Sequence, residues 1–302
     1  VNFELISVVG PTASGKSDLA IAIAEEIGNC EIINTDAMQL YRGMDIGTAK
    51  LTAAQMGGIP HHLISVINPD QEVSVVDFRV MFDAAMDSIA AKGKRAISVG
   101  GSTLYLSAAL DEMNFAPTDE ETRGELEQHH LEIGSQGIWE ELGKLDPAAA
   151  EKIPASNPRR VIRALEVIRL TGKPYAASLP EASYRRKTLQ LGIAVPRDVL
   201  LERIERRVRL MWERGLVDEV AALQQQYPQL SRTARVAIGY DQAARQLAGQ
   251  LSEDEAIAET VLMTSRYAKK QMTWLRRDER IHWLDFSAEA LPKALELIRL
   301  EQ

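Results

Sequence analysis

The 302-residue chain has a single cysteine, Cys30. That excludes an intrachain disulfide and any cysteine-built metal cluster. The sequence has no apolar run long enough to cross a bilayer, so no membrane partner is expected. Its opening residues, Val1-Asn2-Phe3-Glu4, have neither the basic start nor the apolar stretch of a secretory leader. A cytoplasmic enzyme is the expectation. Internal repeats and low-complexity tracts are also lacking. What remains, 45% hydrophobic and 26% charged residues, is ordinary for a globular protein. The length suits one large domain or two smaller ones sharing a core.

The net charge of −8 argues at first against a nucleic-acid partner, but the charge is segregated. Residues 183–214 hold nine Lys/Arg against four Asp/Glu, and residues 266–280 hold six against two. Residues 118–132 hold one Arg against six acids. The field near a cleft follows the nearby charges, so basic faces on an acidic protein can bind phosphate backbones. Solvated helix faces are the plainer explanation of the same pattern.

Leu5-Ile6-Ser7-Val8-Val9 predicts a buried strand ended by glycine. Beyond Ser17, Leu19, Ile23 and Ile27 recur at helical spacing until Gly28-Asn29. Further strands are predicted at 31–34, at 63–66, at 95–99 and at 189–195, and a helix over 77–92. Strand–helix alternation implies a parallel sheet with helices on both faces. After Asp111 strand-like runs vanish until about Leu179, and Pro154, Pro158, Pro174 and Pro180 punctuate a helical stretch. The expected fold is therefore α/β, a P-loop NTPase-like parallel sheet flanked by helices. Residues 1–115 and 187–302 form the core and 116–186 a helical insertion domain.

Gly10-Pro11-Thr12-Ala13-Ser14-Gly15-Lys16-Ser17 is a complete phosphate-binding loop between that first strand and first helix. Gly10 and Gly15 let backbone N–H groups close round a phosphate, Lys16 supplies a mobile cation, and Ser17 offers a hydroxyl to Mg²⁺. The helix behind aims the positive end of its dipole at the anion. The loop alone leaves ATP, a switch nucleotide or another diphosphate ester open. A P-loop ATPase carries an acid after a later strand. Here the strand at 95–99 ends in Gly100-Gly101, and the acid that directly follows a strand is Asp36.

Seven further segments stand in order. They are Asp36-Ala37-Met38-Gln39-Leu40-Tyr41, Met44-Asp45-Ile46-Gly47-Thr48-Ala49-Lys50, Pro60-His61-His62-Leu63 and Val99-Gly100-Gly101-Ser102-Thr103-Leu104-Tyr105. They continue with Asn157-Pro158-Arg159-Arg160-Val161-Ile162-Arg163, Ile238-Gly239-Tyr240 and Tyr267-Ala268-Lys269-Lys270-Gln271-Met272-Thr273-Trp274-Leu275-Arg276. The set closely resembles the tRNA dimethylallyltransferases, also called tRNA isopentenyltransferases, over nearly the whole chain. The resemblance implies transfer of a dimethylallyl group from dimethylallyl diphosphate to N6 of adenine 37, beside the tRNA anticodon, with release of diphosphate. It implies that the P-loop grips the prenyl donor, with Mg²⁺.

By the same resemblance Asp36 is the general base, and Lys16 and Arg207 are cations on the leaving diphosphate. Ser102 supplies a hydroxyl near the donor and the reacting amine. Arg203, Arg207 and Arg214 share one helix face, opposite Ile204, Val208 and Met211. The implied tRNA contacts are Asp36, Ala37, Met38, Gln39, Ser102 and Arg123, then Arg159, Arg160, Val161, Ile162 and Arg163. Val236, Ala237, Ile238, Gly239, Tyr240 and Asp241 follow, then Lys269, Lys270, Gln271, Met272, Thr273, Trp274, Leu275 and Arg276. Trp274 and Tyr267 are expected towards the core, and His61-His62 and His129-His130 in structural roles. Ala37, Leu51, Thr103 and Asp241 depart from the usual family residues. Two other readings stand beside this one. They are a related enzyme that prenylates free adenosine phosphates and a non-catalytic P-loop switch that binds RNA. The expected enzyme is a monomer.

Overall fold

The computed structural model describes residues 3–113, 115–175 and 183–300. Pro180, Leu179 and the first two residues lie outside them. Contacts divide the chain into two compact units, Val1–Asp111 with Tyr184–Gln302, and Glu112–Ser183. The predicted insertion ran over 116–186.

The first unit is built on a six-stranded, all-parallel sheet. Its strands are β1 (Leu5–Val9), β2 (Cys30–Asn34), β3 (His61–His62), β4 (Arg95–Gly100), β5 (Thr188–Ala194) and β6 (Ile281–Asp285). They are ordered β3-β2-β4-β1-β5-β6. Every residue of β1 and β2 is buried, as expected of strands covered on both faces. Helix α1 (Lys16–Ile27) follows β1 and packs Leu19, Ile23 and Ala24 against the sheet. Helix α2 (Val75–Ala91) begins two residues before the predicted 77–92. Ser74 and Asp77 close a capping box that satisfies its first N–H groups. Helix α3 (Thr103–Leu110) follows β4.

Two expectations for the sheet need correction. The strand predicted at 63–66 is instead the two-residue β3 at His61–His62. Leu63 and Ser65 take positive φ values of 59° and 53°, which breaks extended pairing. The segment after Val199 is mostly helical but also contains edge strand β6, which is not among the predicted strands. Its Ile281 and Leu284 face inward while His282 and Asp285 are exposed, so it lacks the continuous apolar run of an interior strand.

The rest of this unit is helical: α7 (Arg197–Glu213), α8 (Leu216–Gln226), α9 (Arg232–Arg235), α10 (Tyr240–Leu247), α11 (Glu253–Leu275) and α12 (Ala290–Leu300). Helices α7, α8, α10 and α11 share one core of Ile204, Val208, Leu216, Val220, Ala243 and Ala256. Tyr41 and Met44 of the loop after β2 also enter it.

The second unit holds α4 (Glu120–Leu145), α5 (Pro147–Lys152) and α6 (Pro158–Thr171). Helix α6 has clear boundaries. Asn157 caps its N-terminus, Pro158 fills the first turn, and Gly172 closes it in the left-handed conformation at φ 66°. The core is Leu126, Ile138, Leu142, Val161, Ile162 and Leu165.

Candidate active site

In an open parallel sheet, ligand chemistry collects outside the carboxyl ends of the strands. Three segments meet there: the P-loop after β1, Asp36-Ala37 after β2, and Gly101-Ser102 after β4. The P-loop turns into α1 through Gly15 at φ 86°, a conformation that glycine adopts without steric cost. Lys16 Nζ donates to Pro11 O at 3.3 Å. Burial lowers the Lys16 ammonium from its ordinary range to about 8, with Asp36 pulling it back up and Arg207 pushing it down. Lys16, Asp36 and Arg207 therefore share one electrostatic environment.

Helix α7 brings the other cations. Arg207 Nη1 donates to Thr12 Oγ1 at 3.1 Å and its Nη2 donates to Thr48 O at 3.3 Å. Burial depresses the guanidinium's pKa, and Asp36 opposes that. Arg203 Nε donates to Ala13 O at 2.7 Å, and its guanidinium lies 4.8 Å from the Phe286 ring centroid. Arg214, read on the same face, caps the end of α7 and is exposed.

Asp36 is held from both sides. Its N–H donates to Asn34 Oδ1, and Asn34 Nδ2 donates to Asp36 O and Leu63 O. One carboxylate oxygen, Oδ1, accepts the Met38 N–H at 2.9 Å at the start of a single 3₁₀ turn, Met38–Leu40. Buried Ser102, the residue before α3, accepts the Ala37 N–H at 3.1 Å. Asp36 and Ser102 thus converge through Ala37. Gln39 Nε2 donates to Thr48 O, the carbonyl that also receives Arg207.

The residues expected to touch RNA fall into three groups. Arg159, Arg160, Val236, Lys269, Lys270, Thr273 and Arg276 are exposed. Val161 and Ile162 are core residues of the second unit. Ala237, Gly239, Gln271 and Leu275 are buried, and Ile238 and Met272 are half-buried. Tyr240 is buried and donates its hydroxyl to Glu219 at 2.6 Å. Asp241 pairs with Arg245 at 3.6 Å. Arg123 and Arg163 both grip Glu166, which is fully buried, at 2.9 and 2.8 Å. Arg163 also donates to Ala116 O and Pro117 O.

Expectations for several side chains shift accordingly. Trp274 was expected in the core. It is half-buried and lines a groove of about 490 Å³ with Arg266, Lys269, Lys270, Thr273 and Arg277. Tyr267 was also expected towards the core and is 37% exposed. His62 Nε2 pairs with the Glu31 carboxylate at 2.7 Å, and His129 Nε2 with Glu141 at 2.8 Å.

Two residues that organise the site were not read in that role from the sequence: Glu219 gave no signal, and Gln271 was read only as an RNA contact. Glu219 accepts the Ile46 N–H and the Tyr240 hydroxyl, fixing the loop that carries Thr48. Its neighbours on α8 read as an ordinary polar helix face. Gln271 sat among basic residues, yet its amide faces the P-loop: the Thr12 N–H donates to its Oε1 at 2.9 Å.

The sequence profile of the family described as IPP transferase matches residues 39–278. The chain belongs to that family. It is 47% identical to a tRNA dimethylallyltransferase of Streptomyces avermitilis, over 97% of this chain and 94% of the relative. Among solved structures, it is similar to the full-length tRNA isopentenylpyrophosphate transferase of Bacillus halodurans. The TM-score there is 0.72 at 37% identity, covering 99% of this chain and 96% of the other. A eukaryotic dimethylallyltransferase solved acting on tRNA aligns with a TM-score of 0.80 at 26% identity, covering 98% of this chain and 77% of that one.

Proposed function

We propose that this member of the IPP transferase family is a cytoplasmic, monomeric tRNA dimethylallyltransferase. It moves the dimethylallyl group of dimethylallyl diphosphate onto N6 of adenine 37 in the anticodon stem-loop. The observation that carries the reading is the pairing of the P-loop with Arg207 and Arg203 on one side and Asp36 on the other. Gly101 and Ser102, not an acid, follow β4. Such a site suits a diphosphate that leaves better than one that is hydrolysed by an activated water.

In the reaction the N6 lone pair attacks the allylic carbon, the carbon–oxygen bond breaks, and its electrons leave on the diphosphate. Charge grows on the departing oxygens, where Lys16 and Arg207 are already fixed and need little reorganisation. The amine loses a proton to Asp36 as the C–N bond forms. Met38 N–H on Oδ1 holds the carboxylate, and Ser102 holds the adjoining backbone. The adenine must leave its stack to reach this point, as in other enzymes that act on a base.

The donor set fits Mg²⁺ held largely by the substrate's own diphosphate. Among the described residues no group of three His, Cys, Asp or Glu could cage an ion. Ser17, in the first turn of α1, would contribute one hard oxygen. When bound, the ion would add positive charge against the leaving group.

The test is transfer of label from dimethylallyl diphosphate, with Mg²⁺, to unmodified tRNA or to AMP. Label on tRNA is expected. Label on AMP alone, or ATP hydrolysis without transfer, overturns the proposal. Asp36→Ala should cut turnover far more than tRNA affinity; undiminished turnover removes Asp36 from the base role.

A further inference from the structure

We propose that Gln271 is a positioning residue of the donor site and not an RNA contact, holding the diphosphate loop in register with the loop that carries Ser102. The inference rests on the prenyl-transfer reading above.

Gln271 lies on α11 between Lys270 and Thr273, both exposed, yet it is only 2% exposed itself. Both ends of its amide are used. The Thr12 N–H donates to Oε1 at 2.9 Å, and Nε2 donates to Gly101 O at 2.7 Å. Reversing the amide would set NH₂ against N–H and carbonyl against carbonyl, so these partners fix its orientation. The packing leaves no room for adjustment. A Cβ on Gly101 would come within 2.5 Å of Gly10 O and 2.6 Å of Gln271 Nε2. The P-loop, the loop after β4 and α11 therefore meet around one glutamine amide.

Thr12 is held twice. Gln271 takes its backbone N–H, and Arg207 donates to its hydroxyl. The P-loop is thus clasped between α11 and α7 at a single residue. One turn earlier on α11, Tyr267 lies beside Ser102 and Gln271. Ser102 in turn accepts the Ala37 N–H beside Asp36. Gln271 thus joins Thr12 of the P-loop to Gly101, and the next residue, Ser102, holds the backbone beside Asp36. Removing Gln271 would leave the Thr12 N–H and Gly101 O without partners and free the P-loop from α11. The basic outer face of α11 would be untouched.

Two variants separate this role from RNA binding. Gln271→Met keeps length and approximate volume and removes both hydrogen bonds. Gln271→Glu keeps the acceptor for Thr12 N–H, and can donate to Gly101 O only when its carboxyl is protonated. Calorimetric titration with inorganic diphosphate and Mg²⁺ is compared with titration by anticodon stem-loop RNA. Gln271→Met should bind diphosphate about tenfold more weakly and raise the KM for dimethylallyl diphosphate by a similar factor, about the cost of one stranded buried pair. RNA affinity should stay within about twofold. Gln271→Glu should recover diphosphate affinity as pH is lowered; it also carries the test should Gln271→Met fail to melt cooperatively. Unchanged diphosphate affinity in both variants, or a matching loss of RNA affinity, overturns the proposal. The wild-type control is separate. Normal diphosphate binding without prenyl transfer to tRNA would sink the functional reading and leave this binding comparison intact.

Discussion

Helices α7 and α11 are both amphipathic, and both carry a stripe of Arg or Lys opposite an apolar face. The structure gives the two stripes opposite fates. On α7, Arg203 and Arg207 fold onto the P-loop, donating to Ala13 O and Thr12 Oγ1. On α11, Arg266, Lys269 and Lys270 stay exposed along a groove while Gln271, between the basic residues, turns inward. A cation's task follows from its solvation. A desolvated, fixed cation stabilises charge that develops beside it and loses little to salt. A solvated one attracts phosphates at a distance and is screened.

The largest expected effect tests the inward stripe. Arg207→Ala should lower turnover by about 10²–10³, the usual range for removing one preorganised donor on a developing oxyanion. tRNA affinity should change by less than about twofold. Measuring single-turnover rates and RNA binding on the same preparation checks both. A parallel loss of RNA affinity would erase the distinction between the two helices.

Lys16 gives the next effect, through pH. Burial, then Arg207, lower its pKa to about 8 against the opposing pull of Asp36. The free enzyme therefore carries this charge almost fully a unit or more below pH 8, holds half of it near pH 8 and loses it above. Affinity for the prenyl diphosphate should be flat below that point and fall by up to about tenfold per pH unit beyond it. Lys16→Gln should bind weakly and remove the break. A wild-type profile that is flat through pH 9 would contradict the burial of this ammonium.

How much of this was legible follows from the physics of each signal. The P-loop was readable because phosphate binding needs fixed residue types at fixed spacing. Strands β1, β2, β4 and β5 were readable because interior parallel strands are continuous apolar runs. Strand β6 was not, since an edge strand buries only Ile281 and Leu284 fully. Side-chain direction was the harder limit. Helical periodicity placed Arg207 and Lys270 equally on polar faces; the resemblance set Arg207 apart, and the tertiary fold shows it meeting the P-loop. Gln271 and Glu219 look like surface residues because polarity predicts exposure unless partners distant in sequence satisfy the group. Their partners are Thr12 and Ile46, across most of the chain.

The same comparison recurs inside the second unit with a smaller effect. Arg163 and Arg159 are one turn apart on α6. Arg163 is tied to the buried Glu166 and to Ala116 O and Pro117 O, while Arg159 is exposed. Arg163→Ala should cost about 1–3 kcal/mol of stability, because it leaves the buried Glu166 carboxylate short of a donor. Arg123 still grips Glu166, which limits the loss. Arg159→Ala should leave the melting temperature unchanged. Equal melting temperatures for both variants would mean that the Glu166 cluster contributes nothing.

The smallest effect tests the outward stripe. Lys269→Ala with Lys270→Ala should weaken tRNA binding only a few-fold at physiological salt. It should also make the slope of log affinity against log salt shallower by about one to two. Turnover at saturating tRNA should stay as in the wild type, because neither lysine approaches Thr12 or Asp36 by any hydrogen bond among the described residues. The slope is the decisive reading, since a modest affinity loss could also follow from a shifted helix. If binding weakens with the slope unchanged, the lysines act through α11's packing, and the groove beside Trp274 is not where the phosphates lie. A shallower slope with normal turnover would instead mean that α11 divides its work by face, its cations outward to the RNA backbone and Gln271 inward to the donor loop.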